Sequence, residues 1–268
     1  MIRWCHFLDL AISNIAWSQN SDQVIYNYMN QYGFSGLEIA PTRVFQTAPY
    51  QHLKEATKWS HQLKTQYGIK TVSLQSIWYG KSESLFSSER DYTILLNYTK
   101  DAIKFANAVG AHNLVFGCPK NRNDGYTHYN KALEFFTILA KYAESHNTVL
   151  SIEANPVIYN TNFINNTSEA LKLVKDINQP GFKINLDVGT MIYNNEQLSI
   201  LEKNINLINH VHISEPGLVK IIERAFHKDL FKLLKANGYN HSISIEMNNK
   251  HTLDDIIKVM AYVSKCCT

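Results

Sequence analysis

The sequence has little of what marks a secreted, membrane or nucleic-acid-binding protein. Its four cysteines, Cys5, Cys118, Cys266 and Cys267, form no CxxC pair and no disulfide-like pattern. No run of about 18 apolar residues predicts a membrane span, and the opening MIRWCHFLDLA lacks a long apolar core before a cleavage site. The net charge of +3 provides no broad basic field for nucleic acid. We therefore expect a reduced, cytoplasmic protein that binds neither membrane nor nucleic acid.

Ionisable side chains occur in segments that otherwise have the sequence pattern of buried strands. Four short, apolar, β-branched segments carry them near their carboxyl ends: VLSIEAN with Glu153, KINLDVG with Asp187, NHVHISE with His212 and SISIEM with Glu246. Such segments predict strands, and a buried carboxylate is costly unless it is paired or coordinated. We therefore expect the four strand ends to converge on one cation. A structural network of ion pairs is the alternative.

The spacing of these four residues fits consecutive strand–helix units. Glu153 and Asp187 are 34 residues apart, Asp187 and His212 are 25 apart, and His212 and Glu246 are again 34 apart. A strand, a helix and two loops need about 30 residues. The four residues therefore stand where four successive strands of one parallel sheet would end.

The rest of the chain alternates strands and helices in the same way. The predicted strands are residues 2–8, 36–40, 70–77, 112–117, 149–155, 183–189, 209–214 and 242–247. The predicted helices are residues 21–33, 50–68, 88–109, 128–146, 167–178, 195–205, 226–237 and 252–265. Strict alternation predicts a parallel sheet, and 268 residues suit a closed barrel, which needs about 250. We therefore predict an α/β protein, a single (β/α)8 TIM barrel spanning residues 1–268.

Functional residues of such barrels lie at the carboxyl ends of the strands. Further polar side chains expected at that end, and taken as candidates for substrate binding, are Glu38, Gln75, Lys120, Arg122, Asn155 and Glu215. Lys120 and Arg122 would suit a phosphate, a carboxylate or a nucleotide-linked group. The alternatives are a solvated loop for these two cations and a structural ion pair for Glu38.

The segments SIEAN, LDVGT, HVHISE and SIEM resemble the sugar phosphate isomerase/epimerase family. Its xylose isomerase-like barrels include ketose 3-epimerases and are related to AP endonuclease family 2; GLEIA, SLQS and FGCPKNR extend the resemblance. The resemblance implies that Glu153, Asp187, His212 and Glu246 bind one divalent metal ion (Mn²⁺, Mg²⁺, Co²⁺ or Zn²⁺). It also implies that Glu153 and Glu246 carry out proton transfer on a small-molecule sugar or sugar phosphate.

This donor set is chemically suited to the activity that the resemblance implies. Three carboxylates and an imidazole suit a divalent ion of intermediate hardness, which can polarise a substrate carbonyl. A carboxylate can then remove the neighbouring C–H proton to give an enediolate. Return of a proton to the opposite face epimerises that carbon, whereas its return to the next carbon isomerises the sugar.

Three positions depart from the pattern of the ketose 3-epimerases. Thr190 stands where those enzymes have His, Leu218 where they have Arg, and Tyr159 where they have a substrate-binding Glu. We therefore expect the metal chemistry of the family without its recognition of a free hexulose. The alternatives are an inosose-type sugar dehydratase, an endonuclease IV-like DNA repair enzyme and a non-catalytic sugar-binding barrel.

Several aromatic residues permit two interpretations. Trp17, Trp78 and Tyr79 follow predicted strands and would form either an apolar wall for a sugar ring or part of the core. Phe135 and Phe136 lie on an outer helix and would suit either a homo-oligomer interface or packing against the barrel. His210 shares a strand face with His212, and we interpret it as a packing residue.

Overall fold

The computed structural model describes residues 8–267, which form a closed barrel of parallel strands. The strands pair in chain order, and the last pairs with the first. They are β1 (Asp9–Ser13), β2 (Phe34–Ile39), β3 (Lys70–Leu74), β4 (Asn113–Phe116), β5 (Val149–Glu153), β6 (Phe182–Asp187), β7 (Ile208–Ile213) and β8 (Ser242–Ile245). The predicted α/β barrel is confirmed.

Helices surround the barrel and connect its strands. They are α1 (Asp22–Gln31), α2 (Pro41–Val44), α3 (Leu53–Tyr67), α4 (Glu89–Val109), α5 (Tyr129–Ser145), α6 (Thr167–Ile177), α7 (Val188–Tyr193), α8 (Ala225–Ala236) and α9 (Leu253–Cys267). The predicted stops are observed at Gly68 and Gly110, which follow α3 and α4 with φ of +69° and +77°. Within residues 8–267, no helix is long and apolar enough to cross a bilayer.

Two predicted elements have no counterpart in the described structure. The strand predicted at residues 2–8 lies outside the described residues except for Leu8, and the first described strand is β1. The helix predicted at residues 195–205 is wrong: α7 begins directly after Asp187, whose carboxylate accepts a hydrogen bond from the Thr190 backbone N–H. Asn195 then adopts a φ of +54°, and only short 3₁₀ turns follow before β7.

The aromatic residues of α5 belong to the core. Phe135 and Phe136 are fully buried, and their ring centroids lie 6.4 and 4.9 Å from that of Phe116 on β4. The rings meet edge to face, the arrangement that aromatic quadrupoles favour. Of the two interpretations of these phenylalanines, packing against the barrel is therefore the one observed.

Gly181 places β6 close to α5 and provides a test of this packing. A Cβ at Gly181 would lie 2.1 Å from the backbone oxygen of Ala140, which cannot move aside without shifting the helix. We expect Gly181→Ala to lower the free energy of unfolding by about 3 kcal/mol, measured by urea denaturation. The control is Gly68→Ala, where a Cβ meets nothing within 4 Å and the positive φ alone costs about 1 kcal/mol. Equal losses in the two variants would contradict this packing.

Candidate metal centre

Four strand ends bring ionisable side chains to one point. Glu153 and Asp187 are the last residues of β5 and β6, His212 lies within the last two residues of β7, and Glu246 directly follows β8. One potential ligand atom from each lies within 4.8 Å of the others. All four side chains are buried, with at most 9% of the residue surface exposed. The structure thus brings together the four residues that the sequence predicted to converge.

The two ring nitrogens of His212 face different surroundings. Nδ1 lies 3.0 Å from Glu153 Oε1 and 3.1 Å from Glu246 Oε2, whereas Nε2 lies 3.0 Å from Glu38 Oε2. Glu38 Oε2 also lies 3.1 Å from His210 Nε2. Although burial opposes it, the two histidines hold the pKa of Glu38 below its ordinary value. An ionised Glu38 accepts the Nε2–H of His212 and turns Nδ1 toward the cluster, as carboxylates do behind metal-binding histidines.

Glu153 is held by amide and guanidinium groups. Asn185 Nδ2 donates to its Oε1 over 2.7 Å, and Asn155 Nδ2 donates to its Oε2 over 2.8 Å. Arg122 is fully buried behind them. Its Nη2 donates to Asn155 Oδ1 over 2.9 Å and to the Glu153 carbonyl over 3.0 Å. Arg122 therefore fixes the Asn155 amide, which in turn fixes the Glu153 carboxylate.

Asp187 is held by two hydroxyl groups and a backbone N–H. Thr190 donates to its Oδ2 from the backbone over 2.8 Å and from the hydroxyl over 2.7 Å. The Ser214 hydroxyl donates to Oδ1. Thr190 thus binds Asp187 and keeps its carboxylate at the start of α7.

The cluster carries more negative charge than its own groups can balance. Burial raises the pKa of Glu246 to about 7, and burial together with the charge of Glu153 raises the pKa of Asp187 to about 6. Burial would lower the pKa of His212, but the surrounding carboxylates, Glu246 foremost, raise it well above its ordinary value. Three carboxylate oxygens and one imidazole nitrogen around a single point fit a divalent cation, which would supply the missing positive charge.

An open cavity of about 200 Å³ lies over the cluster. Glu153, Asp187 and Glu246 line it, and other lining residues are Ile15, Gln75, Ser76, Cys118, Tyr159 and Leu218. Of these, Ser76, Cys118 and Leu218 have φ of +52°, +47° and +55°, a strained conformation for non-glycine residues. Such strain concentrates at functional sites. The cavity thus leaves the cluster open on one side, with room for a small molecule.

The predicted substrate-binding residues separate into two groups. Gln75 and Asn155 line the cavity, whereas Lys120 is exposed and lines an adjoining cleft. The remaining three are buried and bound to protein partners. Glu38 holds His212, and Arg122 holds Asn155, as described above.

Glu215 completes the second group and lies outside the cavity lining. It forms a two-pronged pair with Arg224, at 2.7 Å from Nε and 2.6 Å from Nη2. We therefore assign Glu38 and Arg122 positioning roles, and Glu215 a structural pair.

Sequence reasoning did not identify three residues that hold the cluster. Asn185 lies two residues before Asp187, and Ser214 lies two residues after His212. Because alternate residues of a strand share a face, this spacing was the signal that could have identified both. His210, interpreted as packing, instead contacts Glu38 and lies 3.0 Å from Ser244 Oγ.

The orientation of His212 by Glu38 can be tested through metal affinity. Glu38→Gln removes the negative charge behind the imidazole, and we expect the dissociation constant for Mn²⁺ to rise about tenfold. Isothermal titration calorimetry of protein stripped with EDTA measures this constant. The matched control is Glu215→Gln, which neutralises another buried carboxylate outside the cavity and should leave the constant unchanged. Equal losses in both variants would contradict the assigned role of Glu38.

Metal binding at this cluster should displace protons. The folded-state pKa values of Asp187 and Glu246, about 6 and 7, exceed their ordinary 3.8 and 4.5, so the metal-free fold retains these protons to higher pH than the unfolded chain. We expect the gain in melting temperature with Mn²⁺, relative to EDTA, to be larger near pH 7.5 than near pH 5.5. Differential scanning fluorimetry measures the melting temperature with Mn²⁺ and with EDTA at each pH.

The protonation of His227 does not affect this comparison of melting temperatures with and without metal. Burial lowers the pKa of His227 to about 4, which makes the fold less stable as the pH falls. This effect is present with and without metal, so it cancels in the difference. A metal-dependent gain in melting temperature that is constant with pH, or that falls as the pH rises, would contradict a carboxylate metal site.

Comparison with known proteins supports the fold. No curated protein sequence matches the chain. A 3-keto-D-glucoside 4-epimerase from E. coli matches with a TM-score of 0.76 and 16% identity, over 97% of this chain and 98% of that one. A D-psicose 3-epimerase from Clostridium cellulolyticum H10 matches with a TM-score of 0.70 and 18% identity, over 96% of this chain and 92% of that one. A probable 3-DHS dehydratase from Bacillus anthracis matches with a TM-score of 0.68 and 14% identity, over 96% of this chain and 98% of that one. At these identities the similarity shows the fold alone.

The family can be assigned from the sequence profile. The profile of the xylose isomerase-like TIM barrel matches residues 27–265, a range that contains all four residues of the cluster. The resemblance noted from the strand-end segments is therefore confirmed. This chain belongs to the xylose isomerase-like TIM barrel family.

Proposed function

We propose that this protein is a divalent-metal-dependent isomerase or epimerase that acts on a sugar or sugar derivative. The observation that carries the proposal is the buried cluster of three carboxylates and one imidazole beneath a cavity of about 200 Å³. Two of its carboxylates, Glu153 and Glu246, enter from the nonadjacent strands β5 and β8. A substrate in the cavity would therefore meet a carboxylate from each of two directions.

The four residues of the cluster would hold one metal ion, Mn²⁺, Mg²⁺, Co²⁺ or Zn²⁺. When bound, such an ion polarises a substrate carbonyl and makes the adjacent C–H more acidic. Glu38, Asn185 and Thr190 keep the donor atoms in place by the hydrogen bonds already described. The protein thus provides a preorganised donor set that needs little rearrangement.

The two glutamates have different freedom to move a proton. Both oxygens of Glu153 accept hydrogen bonds, from Asn185 and Asn155. Within residues 8–267, the Glu246 carboxylate contacts His212 through Oε2. Its Oε1 is therefore available to accept a proton. An oxygen without a hydrogen-bond donor is free to take up a proton from a substrate C–H group.

This difference assigns a role to each glutamate. Glu246 removes the proton next to the carbonyl and gives an enediolate. A protonated Glu153, held on the other side, donates its proton to the opposite face to complete an epimerisation, after which Glu246 loses its proton to solvent and Glu153 regains one from solvent. Return of the proton to the neighbouring carbon gives an isomerisation instead.

A sugar dehydratase is the second candidate. Dehydration begins with the same proton removal and ends with loss of a hydroxyl group, so the cluster supports it equally up to that point. The fold similarity to a probable dehydratase is the observation that keeps it open. A product that has lost water would distinguish this reaction from isomerisation or epimerisation.

A phosphate on the substrate would be bound in the cleft that contains Lys120. Arg122 is fully buried, does not line the cavity and donates to Asn155. Lys120 is exposed and shares its cleft with Lys81. The proposal therefore covers both neutral and phosphorylated sugars, with Lys120 as the anion-binding residue.

Proton abstraction predicts exchange with solvent. Mn²⁺-loaded protein is incubated in D₂O with aldoses, ketoses and their phosphates, and deuterium incorporation next to the carbonyl is followed by NMR. We expect Glu246→Gln to slow incorporation by about 10²-fold to 10⁴-fold, because the base is removed while the side-chain shape is kept. Glu215→Gln should exchange at the wild-type rate. Exchange in Glu246→Gln at the wild-type rate would contradict the proposed role, and exchange with no sugar of the panel would contradict the proposed function.

A further inference from the structure

The cavity above the cluster is small, yet it opens into a larger cleft. Its volume of about 200 Å³ is below the roughly 300–1,000 Å³ of typical small-molecule sites, so one sugar ring fills it. Ile15 and Ser76 line both the cavity and a cleft of about 680 Å³ formed by the loops after β1, β2, β3 and β8. A longer substrate therefore has a continuous path from the cluster into this cleft, which we call the amide cleft.

The amide cleft is lined by neutral hydrogen-bonding side chains. They are Ser18, Gln19, Thr42, Gln46, Asn248 and Asn249. The one charged side chain among the residues that line it is Arg43, which is neutralised by an ion pair with Asp22 and lies 5.4 Å from the Trp17 ring. Amides and hydroxyls donate and accept hydrogen bonds without carrying charge. This lining matches the hydroxyl groups of a neutral sugar better than it matches an anion.

Tyr79 gives the amide cleft an aromatic surface. Its residue surface is 71% exposed, which is unusual for a large aromatic side chain. The turn that carries Tyr79 is nevertheless fixed, since its backbone N–H donates to the Ser76 carbonyl over 2.9 Å. The adjacent Trp78 is buried, and its indole N–H donates to Thr99 Oγ1 over 2.8 Å. An exposed aromatic ring on a fixed turn, beside amide groups, provides a stacking surface for a sugar ring.

We propose that the substrate is a neutral glycoside of at least two sugar units. The reacting ring occupies the cavity over the cluster, and the second ring lies in the amide cleft against Tyr79 and within reach of Asn249. The identity of the reacting ring rests on the proposed function, but binding of the second ring does not require turnover. A smaller cleft of about 350 Å³ that contains Lys81 and Lys120 would instead receive an anionic group.

The test compares ligands that share one ketose ring. Dissociation constants are measured by titration calorimetry on Mn²⁺-loaded protein for fructose, for the glucosyl-fructoses turanose, maltulose and isomaltulose, and for fructose 6-phosphate. We expect at least one disaccharide to bind about tenfold or more tightly than fructose, which corresponds to about 1.4 kcal/mol. Tyr79→Ala and Asn249→Ala should each weaken that disaccharide about tenfold. Tyr193→Ala, which removes an exposed tyrosine outside both clefts, is the matched control and should bind it as the wild type does.

The outcomes separate the two proposals. Disaccharides that bind no more tightly than fructose, or equally well to Tyr79→Ala, overturn the amide-cleft proposal. Tightest binding of fructose 6-phosphate, lost in Lys120→Ala, overturns it in favour of the lysine cleft. Deuterium exchange is measured on the same samples. Disaccharide binding that depends on both Tyr79 and Asn249, without exchange, supports the amide cleft and contradicts the enolising chemistry, because Asn249 lines the amide cleft alone. Exchange with fructose and no gain for disaccharides does the reverse.

Discussion

The structure depends on an electrostatic constraint: three carboxylates share a buried point with a single imidazole. Without a further cation, burial and mutual repulsion raise the pKa values of Asp187 and Glu246 to about 6 and 7, so the cluster is balanced by protons. A divalent ion would balance it without them. The cost of burying three carboxylates together accounts for the many hydrogen bonds that fix these side chains.

The closed barrel makes the supporting contacts possible. Glu38 and His212 are 174 residues apart in sequence, yet they meet inside the barrel because all eight strands end at the same mouth. Close packing adds a second requirement. A Cβ at Gly117 would lie 2.9 Å from Glu153 Oε2, so a glycine at the end of β4 leaves room for the carboxylate. The barrel thus fixes both the direction of each donor atom and the space around it.

The repeated strand–helix pattern could be predicted from the sequence. Features that depend on contacts between residues far apart in the sequence could not. Strand periodicity and the spacing of Glu153, Asp187, His212 and Glu246 were sufficient for the barrel and for the convergence of the four side chains. The alternation of elements predicted the helix at 195–205, whereas in the structure the cap formed by Asp187 begins a helix directly after β6. Composition also could not distinguish Lys120, which faces a cleft, from Arg122, which turns inward to Asn155. The direction of a loop side chain depends on partners that are far away in sequence.

The metal content of the purified protein decides whether the four-residue cluster is a metal centre. Elemental analysis by plasma mass spectrometry is made on the purified wild-type protein and on a variant that combines Asp187→Ala and His212→Ala, each after dialysis against Mn²⁺ and then against metal-free buffer. We expect about one divalent ion per chain in the wild type and almost none in the variant. Equal metal content in the two proteins, or none in the wild type, would contradict a metal centre at this cluster.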